Sequence, residues 1–257
     1  MAEFTIAPLE PADAPAAQRL VRESFDPRLH PYMAATQQGS EAFLTAYLQA
    51  AALHPDRIYL GAKSPDDELL GYAEFRQLDP HTGFLSYICV SPQARGQRLA
   101  QRLIESHLAE APHLSEMQLD VFADNLPALT LYRRMGFEEV WQTTWWRRVL
   151  PSPASGEVQM LNWPQASASF ERYGFCELQM RFAGRELRLG RMGESVVRCP
   201  NPAEFADDGL LAAMRAGLPT LQEALLIAPA TPLPPHPEAE AFNQSLRLRW
   251  RRAQENR

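Results

Sequence analysis

The sequence predicts a mixed α/β fold, a central sheet flanked by helices, with a smaller α+β module after it. Three observations carry that prediction. Phe84–Val90 (FLSYICV) is aromatic, β-branched or otherwise apolar apart from Ser86, which reads as a strand buried in a sheet. Pro92 stops ladder pairing, and Arg95 and Gly96 lead into an apolar stripe at Leu99, Ala100, Leu103, Ile104 and Leu108, one face of a helix. Met117–Val140 (MQLDVFADNLPALTLYRRMGFEEV) then reads as strand, Asn125, helix, Gly136-Phe137 and strand. The third observation is the linker Pro151, Ser152, Pro153, Ala154, Ser155 and Gly156, which divides the chain into residues 1–150 and 156–257.

Composition bounds the rest. A chain of 257 residues with 46% hydrophobic content can bury a sizeable core. Its net charge of −6 argues against a nucleic-acid binder held mainly by phosphate contacts, and Lys63 stands alone against two dozen arginines. Cys89, Cys176 and Cys199 are odd in number and form no C-x-x-C pair, so neither a disulfide framework nor a zinc site is expected, and no metal. No apolar run reaches membrane-spanning length and the N-terminus lacks the regions of a signal peptide, so a cytoplasmic protein without membrane contact is expected.

In order, Phe4, Thr5 and Ile6 read as a short strand closed by Pro8, and Ala12–Phe25 as a helix. Ser40–Leu53 carries Phe43, Leu44, Tyr47, Leu48 and Ala51 at helical spacing. Arg57–Lys63 and Leu69–Leu78 read as antiparallel strands joined by a polar turn. Glu74, in the second of them, is either a carboxylate aimed into a cleft or, as the alternation of Tyr72, Glu74 and Arg76 allows, a residue on a solvent face. Cys89 reads as a small buried hydrophobe. Asn125 reads as a helix cap, Pro127 as a first-turn residue, Tyr132 as a core tyrosine and Gly136 as a left-handed stop. Phe137–Val149, with Trp141, Trp145 and Trp146, reads as two closing strands.

A strand that turns tightly into a helix aims several unpaired backbone N–H groups, and the positive end of the helix, at one point, which suits a pyrophosphate. The stretch Val90, Pro92, Arg95, Gly96, Gln97, Arg98, Leu99, Ala100, Gln101 resembles the acetyl-coenzyme A loop of the GNAT superfamily of N-acetyltransferases, V-x-P-x-x-R-G-x-G-x-G/A. Met117–Val140 resembles the second signature of that family. Arg98 stands where the second Gly is expected, which implies either a lost cofactor site or a loop that needs no positive φ there. We take the second reading, since glucosamine-phosphate acetyltransferases look similar in carrying a long polar residue here, and a further cation would suit a coenzyme phosphate.

The resemblance implies a GNAT-like sheet with two parallel strands splayed apart, and acetyl-CoA as co-substrate. Its pantetheine arm would pair with backbone at Ile88, Cys89 and Val90. Arg95, Gly96, Gln97, Arg98, Leu99, Ala100 and Gln101 would hold the phosphates, Asn125 would hold the cofactor, and Tyr132 would protonate the departing thiolate. It further implies acetyl transfer to a primary amine by direct attack, with Asp120 and Glu74 competing as general base, in a monomer or homodimer. His30, Pro31, Tyr32 and Met33, and the tryptophans, are weaker candidates to border the acceptor. A non-catalytic acyl-CoA-binding or sensor protein that keeps the fold is the alternative.

Beyond the linker, Val158–Leu178 echoes Met117–Val140 with a short deletion, placing Phe170 where Tyr132 fell; a degenerate GNAT-like repeat and chance similarity both fit. Glu177–Phe182, Glu186–Met192 and Ser195–Cys199 read as a meander, Pro202–Ala216 as a helix and Ala224–Ile227 as a strand. Pro229–Pro237 reads as a loop, Ser245–Trp250 as a last edge strand and Arg251–Arg257 as a mobile polar tail.

Overall fold

The computed structural model describes residues 4–154 and 156–253. Ser155 of the expected linker and the last four residues of the expected tail lie outside them. Contacts divide the chain into two compact units that interleave along the sequence. Unit 1 comprises Met1–Pro27, Glu41–Trp141 and Leu246–Arg257, and unit 2 comprises Arg28–Ser40 and Gln142–Ser245. The division falls at Trp141 and Leu246, and the Pro151–Gly156 linker lies inside unit 2.

Unit 1 begins with β1 (Thr5–Pro8), a 3-10 turn and α1 (Ala14–Ser24). Asp13 accepts from the Glu10 N–H at 2.9 Å and pairs with Lys63 at 2.7 Å, which fixes where the helix starts. Ala14, Ala17, Leu20 and Val21 are its buried stripe. After α2 (Ser40–Gln49) come β2 (Arg57–Lys63), β3 (Leu69–Asp79) and β4 (Thr82–Val90), all antiparallel. Gly71 lets α3 (Leu99–Glu110) pack closely, since a side chain there would run into Leu99. α3 carries the chain over to β5 (Glu116–Phe122), which runs parallel to β4. α4 (Leu126–Arg134) follows, capped by Asn125 and ended by Gly136 at φ +86°.

One core cluster packs α3 and α4 on the sheet through Leu99, Leu103, Ile104, Leu129 and Tyr132 against Leu60, Ala73, Phe75 and Leu85. α1 rests on β3 and β4 without contributing to that cluster.

Three expectations are corrected here. β6 (Glu138–Val149) is one strand of 12 residues rather than two, because no Gly, Pro or Asn interrupts its run of threonines and aromatics. β12 (Glu240–Arg251) is an interior strand rather than an edge, since in unit 1 it lies between β5 and β6. Leu246 and Leu248 consequently belong to the unit 1 core. Arg252, expected in a mobile tail, is pinned, its guanidinium donating to the carbonyls of Leu114 at 2.9 Å and Leu108 at 3.0 Å.

In unit 2, β7 (Val158–Met160), α5 (Trp163–Tyr173), β8 (Phe175–Phe182), β9 (Arg185–Met192) and β10 (Val196–Cys199) form the antiparallel meander. The expected helix at 202–216 is two helices, α6 (Pro202–Ala206) and α7 (Asp208–Gly217). Asp207 breaks the run at ψ 92° and caps the second by accepting from the Leu210 N–H at 2.9 Å. β11 (Glu223–Pro229) then runs parallel to β10 and antiparallel to β6.

The echo between the two halves is therefore one of connectivity, in a different register from the Val158–Leu178 match. Four antiparallel strands followed by a helical crossover to a parallel fifth describe β1–β5 and β7–β11 alike. The strands after them are exchanged: β12 follows β5 in the unit 1 sheet, and β6 follows β11 in that of unit 2. Among the described residues, no helix is long and apolar enough to cross a membrane.

Candidate active site

The β4–β5 ladder runs from Thr82↔Glu116 to Leu85↔Leu119 and stops, although β4 continues to Val90 and β5 to Phe122. The two parallel strands part at that point, as expected. The divergence coincides with a bulge: Tyr87 pairs with Glu74 and Leu85 with Phe75, so Ser86 is the extra residue, and a bulge bends and twists its strand. Beyond Leu85, Ile88, Cys89 and Val90 pair with Ala73, Tyr72 and Gly71 on the β3 side, and their other edge has no recorded ladder partner.

β4 then delivers the chain to the loop. Ser91 donates its N–H to Leu70 at 2.9 Å, Pro92–Ala94 make a 3-10 turn, and Gly96 adopts φ +78°. Among the described residues, the N–H groups of Gly96, Gln97, Arg98, Leu99, Ala100 and Gln101 have no recorded acceptor, and α3 has no side-chain cap. A Cβ built on Gly96 would meet nothing within 4 Å, so the loop faces open space. Unpaired N–H groups on a glycine turn at a helix start fit a pyrophosphate. One part of the expectation fails: Arg98 adopts φ 59° and ψ 22°, so the loop does require the left-handed conformation that glycine favours, and Arg98 adopts it at a steric cost.

The corresponding turn in unit 2 is closed. The Asn201 side chain accepts from the Ala203 and Glu204 N–H groups, and the β10–β11 ladder extends to Cys199, the last residue of β10.

Tyr132 is 5% exposed, and among the described residues its hydroxyl has no recorded hydrogen-bond partner. Burial raises its pKa well above that of an ordinary phenol, with Cys89 a second cause, so it stays protonated at neutral pH. Cys89 is buried as expected, its thiol pushed up to about 12 by desolvation. Asn125 Oδ1 accepts from the Ala128 N–H at 3.2 Å, so its observed contact is that of the cap.

The two base candidates differ. Asp120 is gripped at both oxygens by Arg247, at 2.5 and 2.8 Å. Glu74 is 9% exposed, on the face of β3 that α1 helps cover, which overturns the solvent-face reading. Arg57 lies 3.0 Å from Oε1 of Glu74 and Tyr72 donates to Oε2 at 3.2 Å. Burial nevertheless raises its pKa above that of an ordinary carboxylic acid, and Arg57 and Tyr72 pull the other way. Neither Arg57 nor Arg247 was anticipated; each stands on the strand beside that of its acid, a pairing that spacing alone does not reveal.

His30, Pro31, Tyr32 and Met33 belong to unit 2, where the Tyr32 hydroxyl donates to Glu223 at 2.9 Å and accepts from Arg147 at 3.4 Å. Trp145 and Trp146 are buried in unit 2, and Trp141, in unit 1, lies against Arg247.

Residues 18–137 match the model of the acetyltransferase (GNAT) family. This region is a GNAT domain. A GCN5-related N-acetyltransferase from Sphaerobacter thermophilus aligns over 98% of this chain and 97% of its own, at TM-score 0.60 and 15% identity. A Pyrococcus horikoshii structure aligns over 97% and 90%, at TM-score 0.61 and 14% identity. Both likenesses are of fold, and they extend through both units. An uncharacterized protein of Mycobacterium leprae is 30% identical over 141 residues, which span 53% of this chain but only 35% of that protein. Family match and fold together support acyl transfer.

Proposed function

We propose that the GNAT domain transfers an acetyl group from acetyl-CoA to a primary amine by direct attack. The observation that carries this reading is the coincidence, in one unit, of a parted β4–β5 pair with six unpaired N–H groups where β4 gives way to α3. Acetyl-CoA supplies an acetyl thioester, with which the amine nitrogen forms a C–N bond as the C–S bond breaks.

The chain's own residues do the rest. The N–H groups of residues 96–101 bind phosphate, Arg95 and Arg98 add charge, and the Asn125 NH2, whose amide oxygen serves the cap, adds a neutral donor. The unpaired edge of β4 at Ile88, Cys89 and Val90 takes the pantetheine as an added strand and directs N–H groups at the thioester oxygen. Glu74 accepts a proton from the amine nitrogen, and the Tyr132 hydroxyl gives one to the sulfur. We favour Glu74 over Asp120 because burial raises its pKa above that of an ordinary carboxylic acid; both acids have their two oxygens engaged, Glu74 by Arg57 and Tyr72 and Asp120 by Arg247. The base matters most for lysine-like amines, since an amine with pKa near ~10.4 is neutral only about once in a few thousand at pH 7. Three buried thiols suit a reducing cytoplasm, in a monomer or homodimer without metal.

Release of free thiol from acetyl-CoA with a panel of amines tests the reading. Amine-dependent release is expected, and Tyr132→Phe should slow it about a hundredfold or more while leaving CoA affinity nearly unchanged. CoA binding without release for any amine would favour the sensor alternative.

A further inference from the structure

Phe25 follows the last residue of α1 and spans the parted strands. Its ring meets Tyr87 of β4 at 6.0 Å between centroids and 89° between planes, and Phe122 of β5 at 6.1 Å and 88°. Both partners lie beyond the last rung of the ladder, Leu85↔Leu119, so where backbone pairing ends an aromatic strut connects the two banks. The strut is firmly mounted. Ala14, Ala17, Leu20 and Val21 bury the helix behind it. Edge-to-face contacts on both sides hold the ring at fixed angles.

Resting on the acetyl-CoA reading above, we infer that Phe25 limits the acyl chain the domain accepts. The donor enters between β4 and β5 from the loop before α3, and the cluster that holds α3, α4 and Tyr132 lies on one face of the sheet. α1, with Phe25 at its end, contacts β3 and β4 without joining that cluster, and so closes the other face. Each added methylene extends toward an aromatic wall that can retreat only by breaking two ring contacts and shifting a helix end, and overpacking of that kind is costly. Phe25 is thus a specificity-determining residue that favours acetyl and propionyl donors and rejects hexanoyl and longer ones.

Calorimetric titration of the full chain with CoA and straight-chain acyl-CoA thioesters, acetyl to octanoyl, tests this without any acceptor. The wild type should bind acetyl- and propionyl-CoA alike and hexanoyl-CoA about tenfold or more weakly. Phe25→Ala should bring hexanoyl-CoA to within about threefold of acetyl-CoA, and Phe25→Leu, which keeps apolar bulk for packing, should fall between them. Tight CoA binding with no dependence on chain length, or discrimination unchanged in both variants, would overturn the assignment of Phe25 alone. Absence of binding by CoA itself would remove the cofactor reading, and this inference with it.

Discussion

The Tyr72 hydroxyl donates to Oε2 of Glu74 at 3.2 Å, with Tyr72 only 3% exposed and Arg57 holding the other carboxylate oxygen at 3.0 Å. A buried carboxylate with both oxygens engaged is positioned but not neutralised. A base must be ionised to accept a proton, so kcat/KM should rise with pH through a value above that of an ordinary glutamate, the direction in which burial moves it. Glu74→Gln should abolish that limb and lower kcat/KM for a lysine-like amine by about 10²–10⁴-fold, with a smaller loss for an α-amine. A pH–rate profile that Glu74→Gln leaves intact would assign the base elsewhere.

Arg98 gives a prediction in which stability and binding move in opposite directions. Its left-handed backbone costs a non-glycine residue roughly 1–2 kcal/mol, of which glycine's greater unfolded-state freedom returns about 0.5–1. Arg98→Gly should therefore be more stable by somewhat under ~1 kcal/mol in urea denaturation. It should also bind CoA about two- to fivefold more weakly at low salt, with a shallower salt dependence, because one exposed cation has gone from beside the phosphates. Equal salt slopes in the two proteins would place Arg98 away from the ligand.

Leu248 is 1% exposed in the core of unit 1, although it comes from the last strand of the sheet in sequence. Leu248→Ala should cost about 2–5 kcal/mol, the usual range for a fully buried leucine. Arg249→Ala, next to it and 3.9 Å from Glu116, should cost about 1 kcal/mol or less. Comparable urea midpoints for the two variants would contradict the interior placement of β12.

His107 stacks on Phe75, with ring centroids 4.0 Å apart and planes 16° apart. Burial, with His113 a second cause, lowers its pKa from 6.5 to about 4. The unfolded imidazole takes up a proton near 6.5 and the folded one only near 4, so its contribution to stability is whole above 6.5 and declines as pH falls through that window. His107→Leu should flatten this part of the acid slope. Equal losses between pH 7 and pH 5 in wild type and variant, read from urea midpoints, would count against it.

Much of this was legible in the residues, for local reasons. The run from Phe84 to Leu108 encodes strand, turn and helix in consecutive residues, and Asn125, Pro127 and Gly136 punctuate α4 as their chemistry dictates. Long-range partnership was not legible. Nothing in Ser245–Trp250 says that β5 and β6 leave a place for it, and nothing beside Asp120 announces Arg247. In sequence Phe25 is only the last residue of an expected helix, and its use depends on where two other strands part. The sequence marked Arg98 as a departure from the motif, but its left-handed backbone is a fact of geometry.

The exchange of β6 and β12 sets a timetable for synthesis. Trp141 leaves the ribosome about a hundred residues before Leu246 does, so at ordinary elongation rates the sheet of unit 1 waits roughly 5–20 s for its missing strand. During that interval β5 and β6 present unsatisfied backbone edges to the cell, a hazard for which a holding chaperone is the ordinary remedy. A ribosome that stalls in the second half leaves the first without a finished sheet.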